Sequence, residues 1–140
     1  MRIVVDTNIF VGACLGHGAP AKVIGQCLRG RTVPLMGTAL YLEYESVLER
    51  QPLFRHSALS AGQRDELLDV FLGKCLWTTI FFGWRPNLPD EADNHLIELA
   101  VAGSAEYIVT RNLKDLDRGE LDFQSVRMIS PEAFIKERGL

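Results

Sequence analysis

The sequence predicts an α/β fold, a three-layer α/β/α sandwich around a central parallel sheet of about five strands. Three observations carry that expectation. Short apolar or β-branched runs alternate with helical patterns of about ten to fifteen residues. The first run, Arg2-Ile3-Val4-Val5, is apolar at successive positions rather than alternate ones, as a strand covered on both faces of a parallel sheet would be. Polar or turn-forming residues follow each run directly.

The first strand ends at Asp6. Val33 to Met36 reads as a second strand, although Pro34 favours a strand start or an edge. Trp77 to Phe82, Glu106 to Val109 and Val126 to Ile129 complete the expected set. Between them, Pro20 suits a first helical turn, and Val23, Ile24, Cys27 and Leu28 repeat at helical spacing until Gly30. Thr38 is expected to cap a helix reaching about Gln51, and Ser60 one carrying Leu67, Leu68, Phe71 and Leu72. Asp90 opens a helix ending near Gly103, and Pro131 opens a terminal one.

Composition narrows the function classes. The 140 residues are 47% apolar and 24% charged, which fits one globular domain over residues 1–140 and argues against intrinsic disorder. No repeat or polar linker divides them, and no apolar run approaches the roughly 18 residues of a membrane span. Asp6 and Asn8 interrupt the apolar start, so no export signal is expected. Cys14, Cys27 and Cys75 are odd in number and scattered, which fits reduced thiols in a cytoplasm and sets aside zinc and disulfides. With a net charge of −3, nucleic-acid binding must come from a local basic patch.

Ligands of open α/β sheets bind beyond the carboxyl ends of the strands. Asp6 lies there. Glu43 borders the stripe Leu40, Tyr44, Val47, Leu48 and Gln51 of its helix, and Asp93 shares a core-facing stripe with Leu96, Ile97 and Ala100. Val109-Thr110-Arg111-Asn112-Leu113-Lys114-Asp115 returns polar groups to the same edge. Each acid alone reads as an ordinary cap or flank carboxylate. Together they would repel one another in a half-buried cleft unless a cation neutralised them, and all-oxygen ligation points to Mg²⁺ or Mn²⁺. His17, His56 and His95 are expected on the surface.

These residues resemble a known family. Ile3-Val4-Val5-Asp6-Thr7-Asn8, Glu43 in a helix ending Val47-Leu48-Glu49-Arg50, Asp90 to Asn94, and Tyr107 to Asn112 with Asp115 are similar to the ordered acidic motifs of PIN-domain nucleases. More narrowly, the chain resembles bacterial toxins of toxin–antitoxin pairs, of the VapC type. The resemblance implies one or two Mg²⁺ or Mn²⁺ ions and cleavage of RNA. Asp6, Glu43 and Asp93 match the family's first three acids. Many members carry an Asp where Asn112 stands, so the fourth contribution comes from Asp115, from Asn112 as a neutral ligand, or from neither, and one or two metals follow accordingly.

On this reading Asp6, Glu43, Asp93 and Asp115 are the catalytic carboxylates, while Asn8 and Thr110 orient ligands through hydrogen bonds. Arg111 and Lys114, with Arg118 and Arg85 beyond them, would bind an RNA substrate, preferably unpaired. An antitoxin and a homodimer are the implied protein partners, with no membrane. The aromatic stretch Trp77, Phe81, Phe82 and Trp84 is explained first by core packing. Two other readings remain: an RNA-binding module that has lost catalysis, favoured by Asn112, and a phosphohydrolase of the haloacid-dehalogenase type. The latter needs an Asp where Asn8 stands.

Overall fold

The computed structural model describes residues 1–80, 91–112 and 126–140, with side chains in the helix that begins at Glu91 described from His95 onward. Its framework is a five-stranded, all-parallel sheet with the strand order β3-β2-β1-β4-β5. Strand β1 (Arg2–Val5) is central, between β2 (Val33–Met36) and β4 (Tyr107–Val109). Ile3, Val4 and Val5 are all buried, which is why this strand is apolar at every position. Strands β3 (Leu76–Trp77) and β5 (Arg127–Ile129) form the edges.

Six α-helices cover the sheet among the described residues: α1 (Thr7–Cys14), α2 (Ala19–Leu28), α3 (Thr38–Leu48), α4 (Ala61–Lys74), α5 (Glu91–Ala102) and α6 (Pro131–Arg138). Helix α5 packs across β1, β2 and β4 and against α3, while α2 packs with α1, α4 and α6. The result is the three-layer α/β/α arrangement expected. A single core of buried side chains runs through these layers, with Phe10, Tyr44 and Phe71 in mutual ring contact at 5.4–6.0 Å.

Several boundaries differ from expectation, each for a physical reason. Helix α1 was not expected; it is short and mostly buried, so it has little polar face to reveal its period. Thr38 is the first helical residue of α3, which Gly37 precedes as cap, and the helix stops at Leu48 before a 3₁₀ turn, Gln51–Phe54, that contains Pro52. The third strand is only two residues long, at a sheet edge where short strands limit unwanted pairing. Its expected continuation through Phe81 and Phe82 lies outside the described residues, as does Asp90. Ser60 does cap α4, in a reciprocal capping box with Gln63, and Ser130 caps α6 just ahead of Pro131.

Strand order fixes where a site belongs. From β1 the chain steps to β2 and β3, then crosses back to place β4 on the other flank of β1. The order therefore reverses between β1 and β4, and the crevice beyond their carboxyl ends is the topological switch point.

Candidate functional site

Asp6 follows β1 at that crevice. Its extended backbone makes it the N-cap of α1, with Oδ1 accepting from the Thr7 N–H at 2.8 Å. Its own N–H donates to the Val109 carbonyl, which ties the cap to the end of β4. The fully buried Thr110, one residue past β4, donates its hydroxyl to Asp6 Oδ2 at 2.7 Å. The Asn8 amide donates to the same oxygen at 3.2 Å. Both Asp6 oxygens are thus aimed by neighbours from the start of α1 and from the residue just past β4.

Glu43 arrives from α3. The adjacent Tyr44 is buried and donates its hydroxyl to the Val5 carbonyl at 2.6 Å, docking this part of the helix onto the end of β1. Glu43 itself is held from two sides: Thr7 Oγ1 donates to Oε1 at 2.6 Å, and His95 Nε2–H donates to Oε2 at 2.8 Å. One threonine therefore joins the two carboxylates, its N–H on Asp6 and its hydroxyl on Glu43.

His95 departs from the surface position expected of it. It projects from α5 into the site with a side chain only 18% exposed. Asp93, Leu96, Ile97 and Ala100 defined the expected inward stripe, yet Leu99 is buried too. That widens the inward arc to include its i−4 neighbour, His95. The pairing with Leu99 was the available signal. His17 and His56 are exposed.

The two acids are driven in opposite directions. Burial, with the nearby Glu43 charge, raises Asp6 above its ordinary value, while hydrogen bonds from Thr110 and Thr7 oppose the rise. The hydrogen bond from His95, helped by Thr7 and by the Arg50 charge, pulls Glu43 down against its partial burial. Environments that separate two neighbouring carboxylates in this way are characteristic of functional sites.

Asp6 and Glu43 line an open cleft of about 350 Å³ together with Thr7, Asn8, Asn112 and His95. Arg50 sits on the same cleft, with an apolar wall that includes Val11, Val47 and Leu53. Asn112 donates its backbone N–H to Thr110 Oγ1 at 3.0 Å and lines the cleft. The side chain of Asp93 is not described, and Lys114, Asp115, Arg85 and Arg118 lie outside the described residues. Among the described residues no group of three or more His, Cys, Asp or Glu side chains is placed to hold a metal ion.

Arg111 faces elsewhere. Its guanidinium makes a two-pronged ion pair with Glu132 of α6, at 2.8 and 2.7 Å, and lines a second recess of about 290 Å³ with Gly12, His17 and Pro20. Thr110 turns to Asp6 and Asn112 to the cleft, while Arg111, at the bend between them, points to Glu132.

The PIN domain family matches over residues 2–114. No curated protein matches this chain closely enough to count as a relative. Among solved structures, a chain in the crystal structure of VapBC2 from Rickettsia felis bound to a DNA fragment from their promoter is similar to this one. The similarity covers 93% of this chain and 98% of that chain, with a TM-score of 0.60 and 15% sequence identity. At that identity the likeness concerns the fold, which agrees with the parallel sheet and layered helices described above. The family match spans every cleft-lining element from β1 to the residues after β4, and the chain belongs to the PIN-domain family.

Proposed function

We propose that this protein is a Mg²⁺- or Mn²⁺-dependent ribonuclease that hydrolyses RNA phosphodiester bonds, and that it is the toxin component of a toxin–antitoxin pair acting in the cytoplasm. The observation that carries the reading is the meeting of Asp6 and Glu43 at the switch point, bridged by Thr7, in a cleft open to solvent. Membership of the PIN-domain family supports a nuclease. The likeness to VapBC2 supports the toxin assignment and, with it, an antitoxin partner; a homodimer is proposed from the family resemblance alone. No helix among the described residues is long and apolar enough to cross a membrane.

The residues of the cleft fit a hard divalent cation. Its acids and amides, Asp6, Glu43, Asn8 and Asn112, offer oxygen donors, the set that suits Mg²⁺ or Mn²⁺. Burial leaves the ionised Asp6 short of compensating positive charge, which a cation would provide. Asp6 and Glu43 would hold the ion, with Asp93 and either Asn112 or Asp115 completing the set. When bound, such an ion neutralises charge on the phosphate and lowers the pKa of a coordinated water.

The chain's own groups supply orientation. Thr7, Asn8 and Thr110 aim the Asp6 carboxylate, and Thr7 with His95 fixes the Glu43 carboxylate against rotation. His95 is a positioning residue: it touches Glu43, and its effect reaches the reaction through that carboxylate. The apolar wall of Val11, Val47 and Leu53 offers a surface for an unpaired nucleotide beside the acids.

A second reading, an RNA-binding module without catalysis, is favoured by Asn112 lining the cleft where many family members carry an acid. The dehalogenase-type reading gains no support, since the Asn8 amide donates to Asp6 and supplies no second carboxylate.

Incubation of the purified protein with unstructured RNA and Mn²⁺, with EDTA as control, tests the proposal. Metal-dependent cleavage that Asp6→Asn and Glu43→Gln abolish is expected. His95→Ala should weaken Mn²⁺ binding, measured calorimetrically, by about 10- to 100-fold. Binding of RNA with no cleavage under any divalent ion would favour the non-catalytic module, and undiminished cleavage by both carboxylate variants would remove the assignment.

A further inference from the structure

We propose that Arg50 is the phosphate-binding cation of the cleft, the residue that lets an acidic site accept a polyanion. The inference rests on the ribonuclease reading and extends it to how substrate is held. Two carboxylates facing one opening repel a phosphodiester, so affinity for RNA requires positive charge on the same surface. Arg111, the arginine nearest the acids in sequence, does not provide it. Its guanidinium is committed to both carboxylate oxygens of Glu132 and lines the second recess.

Arg50 meets the requirement. It lines the cleft with Asp6 and Glu43, it is exposed, and its charge is felt by Glu43. Glu43 does not hold it: the Glu43 carboxylate takes its hydrogen bonds from Thr7 and His95, and no ion pair joins it to Arg50. Among the described residues its guanidinium makes no hydrogen bond or ion pair, which leaves its planar fork of donors for a phosphate.

The backbone beneath it is anchored. Its N–H donates to the Val47 carbonyl at 3.0 Å and its own carbonyl accepts from the Leu53 N–H at 3.1 Å, where α3 gives way to the Pro52-containing 3₁₀ turn. Val47 and Leu53 flank the arginine on the same wall. A phosphate on Arg50 would therefore set its nucleoside against apolar surface.

The test measures RNA binding without cleavage, using the full chain carrying Asp6→Asn, in EDTA, with a fluorescently labelled unstructured RNA. Adding Arg50→Gln should raise Kd at least about ten-fold and reduce the slope of log K against log salt by about 0.7, the value of one single-strand phosphate contact. Arg50→Lys should restore the slope but only part of the affinity, since the ammonium lacks the two-pronged fork. Arg55→Ala, an exposed arginine absent from the cleft lining, should change neither quantity. Thermal melting should not change with Arg50→Gln, which separates loss of binding from loss of fold. An unaltered Kd and slope in Arg50→Gln, while the parent binds RNA and the wild type cuts it, would overturn the assignment of Arg50 alone. Absence of both binding and cutting in the proteins with Arg50 intact would overturn the ribonuclease reading and this proposal with it.

Discussion

Asp6 is a carboxylate in a place that disfavours its charge. Burial is the largest cause of its raised pKa, and Glu43 adds to it. An acid whose folded-state value exceeds the ordinary 3.8 favours folding in its protonated form. That contribution is fully present below about pH 3.8 and is lost as pH rises through the folded value, so at neutral pH the ionised group works against the fold. In Asp6→Asn the amide oxygen can still accept from the Thr7 N–H, and the amide nitrogen can donate to a rotated Thr110 hydroxyl. In EDTA at pH 7 the variant should melt above the wild type, with the gap narrowing toward pH 4. Mg²⁺ at a hundred times its Kd should then stabilise the wild type by about 2.7 kcal/mol and the variant by less. Equal melting of the two proteins throughout would show that the Asp6 charge is fully compensated in the fold.

The same scale separates what was legible from what was not. Asp6 was legible because a polar residue directly after a continuous apolar strand must emerge at the sheet's carboxyl edge. Glu43 was legible from its place beside an apolar stripe. His95 is not legible from the stripe Asp93, Leu96, Ile97 and Ala100, and only the buried Leu99 brings it onto the inward arc. Arg111 adjoins Thr110 in sequence, but the chain bends there, and its partner Glu132 belongs to a helix that no local pattern links to it.

At the level of elements, α1 is the piece that the pattern concealed and that the cleft most depends on. It begins at the Asp6 cap, carries Thr7 and Asn8, and packs closely on α2. Gly12 permits that approach: a Cβ there would lie 2.9 Å from two ring carbons of Pro20, and a proline ring cannot swing aside. Gly12→Ala should gain about 1 kcal/mol of helix propensity and lose more to overlap, for a net loss of about 1–2 kcal/mol in denaturant unfolding. A stabilised Gly12→Ala protein would mean that α1 and α2 can separate without penalty. Alternation of strands and helices identified the sheet, because periodicity survives in elements with one polar face; it fails for a short helix with little exposed surface.

For the molecule as a whole, the strand order explains why Asp6 and Thr110 meet and why the sequence alone could not say so. Alternating strands and helices imply a parallel sheet, but the order β3-β2-β1-β4-β5 rests on pairings between strands distant in the chain, which no local pattern encodes. The three thiols give a global check on this interior. Cys14 and Cys27 are buried and Cys75 is partly so, and burial pushes them up to about 11, 11 and 12. None is disulfide-bonded. At pH 8 the native protein should react with iodoacetamide far more slowly than the protein in guanidinium, where all three cysteines should label readily, as read by mass spectrometry. Rapid native labelling of Cys27 would contradict its burial where α2 packs into the core.

The hydrogen bond between Asp6 and Thr110 spans 104 positions of chain. At translation rates of about 5–20 residues per second, a newly made Asp6 waits roughly 5–20 s before the ribosome has even added its threonine partner. The crevice between β1 and β4 is therefore one of the later features a nascent chain can assemble, and a polypeptide truncated upstream of β4 possesses the first acids but neither the Thr110 hydroxyl nor the Val109 carbonyl that anchor Asp6. Synthesis itself imposes a delay between the birth of the protein and the birth of its cleft.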